Sequence, residues 1–254
     1  MIDLHAHILP GIDDGPSGIE EALAMMEAGR RDGVTGAVCT SHVLDRFDVA
    51  TESRLADAFS ELRKRATLAG IRMDLWLGAE IHMNVSLDPV PPAATIAGGG
   101  KYLLLELPLN DIPHDADDKL FQLTIAGYSP ILAHPERNAV LAQKPERVYN
   151  LVERGVLMQI NAGSLTGEFG YRIRKAAETL LDHGLVHFIG SDCHNLRSRP
   201  MRLSDAFRAA ARRAGEDTAR ELTEANPRRV VSGEPVWTPQ PVPFTQKKSW
   251  FRFR

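Results

Sequence analysis

The sequence has few of the features that mark a secreted, a nucleic-acid-binding or a membrane-spanning protein. Its 254 residues include two cysteines, Cys39 and Cys193, which are too few for a disulfide framework. The net charge of -3 lacks the basic excess that a nucleic-acid partner calls for. No apolar run approaches the ~18 residues of a transmembrane helix. A strand predicted from Met1 leaves no room for a signal peptide, so we expect a cytoplasmic protein.

Short apolar runs alternate with amphipathic segments through most of the chain, as in a protein built from strand–helix units. Seven strands are predicted, at residues 1–5, 35–40, 73–80, 102–107, 130–134, 156–161 and 186–191. The first helix is predicted to start with Ser17 as N-cap and Glu20 completing a capping box. Further helices are predicted around 55–62, 117–126, 145–154, 173–181, 203–214 and 216–224. This alternation predicts parallel strands with helical crossovers.

Metal-type ligands recur at the ends of the predicted strands. His5 and His7 lie two residues apart, and Asp192 and His194 repeat that spacing near the far end of the chain. Residues i and i+2 of a strand share a face, so each pair aims two ligands at one place. The nine candidate ligands are His5, His7, Asp14, His42, Glu80, Glu106, His134, Asp192 and His194. Nine nitrogen and oxygen ligands are too many for one ion and predict two or three, of a type such as Zn, Mn or Fe.

The distribution of these candidates also bears on the fold. A doubly wound open sheet would place ligands at one or two strand ends, at its switch point. Here the candidates follow at least six of the seven predicted strands, which favours a ring of strands. We therefore predict a barrel with one unit fewer than the usual eight (β/α) repeats and a site at the carboxyl ends of its strands.

Two arginines lie close to the candidate ligands in the sequence. Arg137 follows His134 by three residues, and Arg199 follows His194 by five. Guanidinium groups match phosphate oxygens and stabilise charge during phosphoryl transfer. Paired ions generate a hydroxide near neutral pH and neutralise a phosphoryl group. The alternative for each arginine is a surface salt bridge.

The spacing of Cys193 and Arg199 is also that of a cysteine-dependent phosphatase loop. In such a loop the five intervening residues wrap phosphate with backbone N–H groups, and a helix dipole lowers the thiol pKa. Here the five residues contain no glycine, and Pro200 follows them. Strand alternation also points Cys193 away from Asp192 and His194. We expect no catalytic role for this cysteine.

The end of the chain differs in composition from the rest. Four prolines lie between 235 and 243, and a basic and aromatic stretch follows at 247–254. We expect residues 1–233 to form one domain and residues 234–254 an extended tail. The tail either frays as a chain terminus or contacts a partner or an anionic surface.

The motifs together resemble those of the PHP (polymerase and histidinol phosphatase) superfamily. More closely, they resemble the CpsB/CapC group of bacterial metal-dependent tyrosine-protein phosphatases. The resemblance runs from Met1 to about Pro227, and its motifs lie at residues 3–15, 78–81, 134–138, 162–167 and 191–195. It implies a distorted (β/α)7 TIM-like barrel of the PHP fold.

The resemblance also implies a set of ion sites. It implies three divalent ions, commonly manganese, although these ligands also accept Fe, Zn, Mg and Co. By similarity, the first ion is held by His5, His7, Glu80 and Asp192. Glu80 bridges to a second ion, held also by Glu106 and His134, and the third is held by Asp14, His42 and His194. Arg137 and Arg199 match the phosphate-binding arginines of the family.

The implied function is hydrolysis of phosphotyrosine by a metal-activated hydroxide, with His42 or a water assisting the leaving phenolate. The implied partner is the tyrosine-phosphorylated tail of a membrane-linked autokinase that controls capsule or exopolysaccharide export. Such a kinase would recruit the protein to the inner face of the membrane. Two alternatives stay open: a small-molecule phosphomonoesterase such as a histidinol phosphatase, and a metal-loaded regulator that binds the kinase without turnover.

The chain departs from its relatives at two positions beside the expected substrate groove. Residues 42–48 lack the second histidine and the aromatic-rich loop that relatives usually carry there. His82 stands where relatives often have arginine. Both departures leave the metal ligands intact, so they bear on the choice of substrate rather than on the reaction.

Overall fold

The computed structural model describes residues 1–244, which form an α/β fold with two parallel β-sheets. The smaller sheet has the order β1 (Ile2–Ala6), β2 (Gly36–Cys39) and β4 (Asp74–Leu77). The larger sheet has the order β3 (His42–Val43), β5 (Glu80–His82), β6 (Tyr102–Glu106), β7 (Ser129–Ala133), β8 (Leu157–Asn161) and β9 (Phe188–Gly190). All pairings between these strands are parallel, as the strand–helix alternation predicts.

Helices connect the strands and cover the sheets. They are α1 (Ile19–Arg31), α2 (Val49–Leu68), α3 (Ala116–Ile125), α4 (Pro145–Glu153), α5 (Ala162–Thr166), α6 (Tyr171–Asp182), α7 (Ser204–Ala214), α8 (Glu216–Arg220) and α9 (Asn226–Val231). Short 3-10 turns lie at Pro92–Ala94, Ile96–Gly98 and Pro135–Arg137, and a π turn lies at Glu221–Ala225. Helix α6 is an example of how the helices pack. One of its faces is buried and carries Ala176, Ala177, Leu180 and Leu181.

The predicted strand at 73–80 is wrong in its extent, because the chain changes sheet within it. Strand β4 ends at Leu77, and β5 begins at Glu80 in the other sheet. A matching change occurs between β2 and the short β3, which the sequence patterns did not predict. Both changes place polar residues in register, because His42 of β3 pairs with Glu80 of β5.

The predicted capping box at Ser17 is also wrong. Helix α1 begins at Ile19 with Gly18 as its N-cap, and no side chain caps it. Ser17 lies one residue earlier, and its backbone N–H donates to the carboxylate of Glu21 at 3.1 Å. A reciprocal capping box is therefore absent, because the extended backbone at Gly18 delays the first helical turn and leaves Ser17 outside the helix.

The two sheets meet along a seam between β1 and the end of β9. The N–H of His7 donates to the carbonyl of Cys193 at 3.0 Å, and the N–H of Asp192 donates to the carbonyl of His5 at 2.8 Å. Asp3 accepts a further hydrogen bond from the N–H of Ser191 at 2.9 Å. The seam therefore brings the first and the last ligand motifs of the chain together.

Residues 234–244 contain no helix or strand, and several of them contact the rest of the fold. The N–H of Trp237 donates to the side chain of Asn226, and the N–H of Val242 donates to the carbonyl of His183. Phe244 stacks on the ring of His183 at 3.8 Å. The basic and aromatic residues predicted to form the rest of the tail, 247–254, lie outside the described residues. None of the helices within residues 1–244 combines the length with the apolar character that crossing a membrane requires.

Candidate metal centre

The nine predicted ligands lie together, at or just after the carboxyl ends of the strands. Three overlapping groups account for eight of them, since each group brings one ligand atom per residue within 4.8 Å of the others. The ninth, His134, places its Nε2 2.8 Å from Glu80 Oε1. The structure therefore gathers every predicted ligand into one cluster.

The first group comprises His5, His7, Glu80 and Asp192, all of them buried. The Nε2 atoms of the two histidines lie 3.0 Å apart, and each lies 3.2 Å from Glu80 Oε2. Asp192 Oδ1 lies 3.5 Å from His5 and 3.4 Å from His7. A tetrahedral ion with ligand bonds of ~2.1 Å separates its ligand atoms by about 3.4 Å. The four atoms therefore have the spacing of ligands around one ion.

The second group is built around the same glutamate. Glu80 shares it with His42 and Glu106, and His42 Nδ1 lies 3.0 Å from Glu80 Oε2 and 3.2 Å from Glu106 Oε1. His134 Nε2, 2.8 Å from the other oxygen of Glu80, lies 3.9 Å from Glu106 Oε2. Glu80 thus belongs to both the first and the second group, as a carboxylate that bridges two ions would.

The third group lies on the open side of the cluster. It joins His7, Asp14, His42 and His194. Asp14 Oδ1 lies 3.1 Å from His194 Nε2 and 3.6 Å from His42 Nε2. The side chain of Asp14 is 64% exposed, whereas His194 is buried. Solvent therefore reaches the cluster from this side.

The backbone is bent where two ligands leave their strands. His134, directly after β7, has φ +35° and Asp192, after β9, has φ +54°. They are two of the three non-glycine residues with positive φ among residues 1–244, a conformation that costs free energy. His134 also precedes Pro135, which disfavours the right-handed helical region. Such strain is tolerated where it aims a functional side chain.

Hydrogen-bonded partners orient the histidines of the first group. His5 donates from Nδ1 to Gln159 Oε1 at 2.8 Å, and His7 donates from Nδ1 to Asp13 Oδ2 at 2.8 Å. These bonds fix the tautomer that leaves Nε2 free for an ion. Asp13 also accepts from the N–H of His42 at 2.9 Å. The sequence patterns did not identify Gln159 or Asp13, although Gln159 stands out as a polar residue within the apolar strand β8.

The negative charge of the buried carboxylates in the cluster requires compensation by positive charge. Burial alone lowers the pKa of His5, but Glu80 and Asp192 outweigh it and raise this pKa to about 9. Burial likewise opposes charge on His42, yet Glu106 and Glu80 raise its pKa to about 11. Despite burial, the neighbouring histidines hold the pKa of Glu80 well below its usual range. Protons or divalent cations must therefore compensate these carboxylates at neutral pH.

Several buried polar atoms of the cluster have ionic neighbours at 2.5–3.1 Å but form no hydrogen bond of regular geometry within residues 1–244. They are His42 Nδ1, Glu80 Oε2, Asp192 Oδ1 and His194 Nε2. Buried polar atoms are costly unless they are paired. All four belong to the groups described above, and all are atoms that ligate divalent ions. The residues therefore fit a polynuclear centre with nitrogen and oxygen ligands.

Both predicted phosphate-binding arginines reach the cluster. Arg137 Nη1 donates to Asp192 Oδ2 at 2.7 Å, and Arg199 Nη2 lies 2.5 Å from Asp192 Oδ1. The guanidinium of Arg137 also lies over the ring of Phe169, 4.8 Å from its centroid. The alternative of surface salt bridges does not describe this geometry, because the shared partner is a buried candidate ligand.

The structure gives Cys193 no access to a substrate. Its side chain is fully buried in the hydrophobic core, and this burial raises the pKa of its thiol well above the usual value. The thiol therefore stays protonated near neutral pH and has no route to the groove.

A groove of about 690 Å³ opens over the third group. His42, Asp14 and Glu106 line it, together with residues of the loop at 43–48. The side chain of His42 is 20% exposed there, whereas those of the other histidines in the cluster are at most 5% exposed. The loop at 43–48 thus borders the exposed side of the centre.

Comparison with known proteins agrees with this site. A family model described as capsular polysaccharide synthesis, CpsB/CapC, matches residues 1–232. The putative tyrosine-protein phosphatase CapC of Staphylococcus aureus is 32% identical over 253 residues, 99% of each chain. The tyrosine-protein phosphatase YwqE of Bacillus subtilis is 30% identical over 250 residues, 98% of each chain.

A solved structure extends the similarity to the fold. It comes from a study of YwqE from Bacillus subtilis and CpsB from Streptococcus pneumoniae, described as unique metal-dependent tyrosine phosphatases. It superposes with a TM-score of 0.88 at 28% identity, covering 97% of this chain and all of the other. The family resemblance predicted from the motifs is thus confirmed: the chain belongs to the CpsB/CapC family.

Proposed function

We propose that this protein is a metal-dependent protein-tyrosine phosphatase. The observation that carries the proposal is the convergence of Arg137 and Arg199 on Asp192, at the edge of a nine-ligand cluster. Two guanidinium groups beside a polynuclear centre suit a phosphoryl group and its charge. Relatives that match nearly the whole chain are named tyrosine-protein phosphatases.

We propose that the nine residues hold two or three divalent ions, with manganese as the first expectation. The bound ions would supply positive charge to the phosphoryl oxygens and lower the pKa of the attacking water. The histidine and carboxylate ligands, without thiolate, suit such hard or borderline ions. Asp13 and Gln159 would keep the ligand atoms of His7 and His5 aimed at the centre.

The chain's own residues would handle the phosphate and the leaving group. Arg137 and Arg199 would donate hydrogen bonds to the equatorial oxygens, and Asp192 keeps both guanidinium groups in place until phosphate binds. His42 lines the groove and is the most exposed histidine of the cluster. Either His42 or a water in the groove would assist the departing phenolate oxygen, and a His42 that is not ligating an ion at that moment would do so by donating a proton.

We infer that the two sheets close into a distorted (β/α)7 barrel within a single domain at 1–233. The hydrogen bonds along the seam between β1 and β9 support closure. A cluster of buried apolar side chains also supports it, since it joins Leu4 and Val38 of one sheet to Leu104, Ile131 and Phe188 of the other. A ring of strands places the ligands at one mouth, as active sites of barrels are placed.

The proposed partner is a tyrosine-phosphorylated protein of capsule or exopolysaccharide synthesis. The description of the family as capsular polysaccharide synthesis supports this assignment. The tail of a membrane-linked autokinase is the specific substrate that we propose. Binding to it would bring this cytoplasmic protein to the inner face of the membrane.

Phosphate release tests the proposal directly. The protein is loaded with Mn and offered a phosphotyrosine peptide, a phosphoserine peptide and histidinol phosphate in parallel. We expect clear preference for phosphotyrosine. Preference for histidinol phosphate would instead indicate a small-molecule phosphomonoesterase. No turnover of any substrate, with bound metal confirmed by elemental analysis, would indicate the non-catalytic regulator.

A further inference from the structure

A second groove of about 690 Å³ lies beside the metal centre, between residues 136–145 and helix α6. Arg137 lines this groove, while its Nη1 donates to Asp192 in the centre. The groove therefore begins where the proposed phosphate site ends. A chain segment whose phosphotyrosine occupies the centre would place flanking residues there.

The walls of this second groove are cationic. Besides Arg137, they contain Arg172 and Lys175, both exposed, and the exposed ring of Tyr171. The only acidic residue among its lining is Glu136. That residue is fully buried, and its Oε1 accepts a hydrogen bond from the N–H of Asn161 at 2.9 Å. The surface that a ligand meets thus carries positive charge.

The basic residues at the start of α6 lower the stability of that helix. Its first turn has no acidic residue and no side chain that caps the N-terminus. The helix dipole places partial positive charge at this end, so Arg172 in the first turn destabilises it, and Lys175 adds a further cation directly after that turn. Neither forms an ion pair with another residue of 1–244, whereas Arg174 between them is hydrogen-bonded to Glu178 at 3.0 Å. Basic residues at a helix N-terminus are locally unfavourable. Where such residues line a groove, this is typical of a functional surface.

We propose that this groove binds acidic residues that flank the phosphotyrosine of the protein substrate. Carboxylates there would neutralise Arg172 and Lys175 and would also favour the N-terminus of α6. The exposed ring of Tyr171 offers an apolar surface to the same segment. The proposal rests on the proposed function and adds a sequence preference to it.

The groove over His42 is a poorer match for an acidic segment. Its lining includes Asp14, Asp45, Asp48 and Glu106. One of its arginines, Arg46, is already paired with Asp48 at 2.8 Å. Like charges repel an acidic ligand there, so the acidic residues are directed to the α6 side.

Two phosphotyrosine peptides that differ only in flanking Glu or Gln residues test this inference. Binding of the fluorescently labelled peptides and phosphate release are measured for the Mn-loaded full chain. The test variant is Arg172→Gln/Lys175→Gln. The matched control, Arg212→Gln/Arg228→Gln, removes the same charge from exposed positions on α7 and α9. Hydrolysis of p-nitrophenyl phosphate reports the reaction without flanking residues.

We expect the wild-type protein to bind the Glu-flanked peptide about tenfold more tightly, with the gain in KM rather than in kcat. The test variant should lose this preference and keep its rate on p-nitrophenyl phosphate, and the control should keep both. Raising salt from ~0.05 to ~0.5 M should weaken the wild-type preference, a check that needs no variant.

Equal binding of the two peptides by the wild-type protein would overturn the inference, as would a preference that the test variant retains. Either result could occur beside normal phosphotyrosine turnover, in which case the proposed function stands. Loss of turnover on every phosphoester would instead contradict the proposed function, and the binding assay would still decide the role of the groove.

Discussion

At the scale of single residues, the sequence predicted the ligands better than the residues that orient them. His5 and His7 could be found because a two-residue spacing in a strand has a geometric meaning. Asp13 could not be found in this way, because it contacts His7 through a loop that the strand pattern does not describe. Gln159 acts across the fold, 154 residues from His5. A pattern along one strand does not predict such partners.

Asp13→Asn should weaken metal binding by about 10- to 100-fold, because the amide no longer holds His7 in the tautomer that offers Nε2. Metal titration by calorimetry measures the change. Asp45→Asn is the matched control, since Asp45 is exposed in the neighbouring groove. Unchanged affinity in Asp13→Asn would show that His7 needs no orienting partner.

Arg199→Ala should lower kcat for a phosphotyrosine peptide by about 10²-fold or more, because a charge partner of the transition state is lost. Steady-state kinetics with Mn measures this loss. Arg197→Ala provides the comparison, since Arg197 lies two residues away and is exposed. Equal rates in the two variants would remove Arg199 from the phosphate site.

His187 should make the fold sensitive to acid. Burial lowers the pKa of this imidazole to about 4, and its Nδ1 accepts a hydrogen bond from the N–H of Met158. An unfolded histidine binds its proton near pH 6.5, so between pH 6.5 and 4 the unfolded state holds more protons and stability falls as pH falls. The full loss is about 3 kcal/mol.

The comparison of wild type with His187→Asn isolates this contribution, because the amide oxygen can replace Nδ1 as acceptor. Urea unfolding at a series of pH values in EDTA gives the free energy of unfolding of each. The variant should show a shallower decline below pH 6.5. Parallel curves would mean that His187 titrates normally in the folded protein.

At the scale of elements, hydrophobic patterns predicted where strands lie but not where the chain changes sheet. The apolar run at 73–80 is continuous in sequence, yet β4 and β5 belong to different sheets. Gly78 lies at this break, and a Cβ there would be 3.0 Å from Val38. The break thus lies where strands distant in sequence pack closely. It is not visible in a run of neighbouring residues.

Gly190→Ala should disturb the metal centre through the packing of β9. A Cβ at Gly190 would lie 2.8 Å from the Cβ of His5 and 3.0 Å from Gln159 Nε2. These contacts are too short, so His5 and its orienting partner must move. We expect a loss of about 1–3 kcal/mol in the free energy of unfolding, together with weaker metal binding.

Urea unfolding and metal titration of the same samples check both effects. Gly99→Ala serves as the control, since its Cβ would make only an ordinary contact of 3.4 Å with a carbonyl oxygen. If Gly190→Ala retained wild-type stability and metal affinity, the close approach of β9 and β1 would have no bearing on the centre.

At the scale of the whole molecule, the family and the α/β class could be predicted from the sequence, because motifs and strand–helix alternation extend over most of it. The pairing of β1 with the end of β9 was harder to predict. It depends on contacts such as Asp3 with Ser191, which are 188 residues apart. The cationic groove between residues 136–145 and helix α6 was not predicted at all. Its walls come from two separate segments, and no single sequence motif includes both.

Chelation should affect both activity and stability of the whole protein. Excess EDTA should abolish phosphate release, and added Mn should restore it. Ions that bind only the folded state stabilise it by about 2.7 kcal/mol at 100 times their Kd, so Tm should fall on chelation. Calorimetry and phosphate release on the same preparation test this. Full activity in excess EDTA would contradict the metal mechanism.

The seam between β1 and β9 has a consequence for the order of events during synthesis. His5 and His7 leave the ribosome before Asp192 and His194, which follow more than 180 residues later. A nascent chain therefore carries half of the first ligand group long before the other half exists. The complete group can take up an ion only after Asp192 has been translated, so the centre is assembled late relative to the synthesis of its first two ligands.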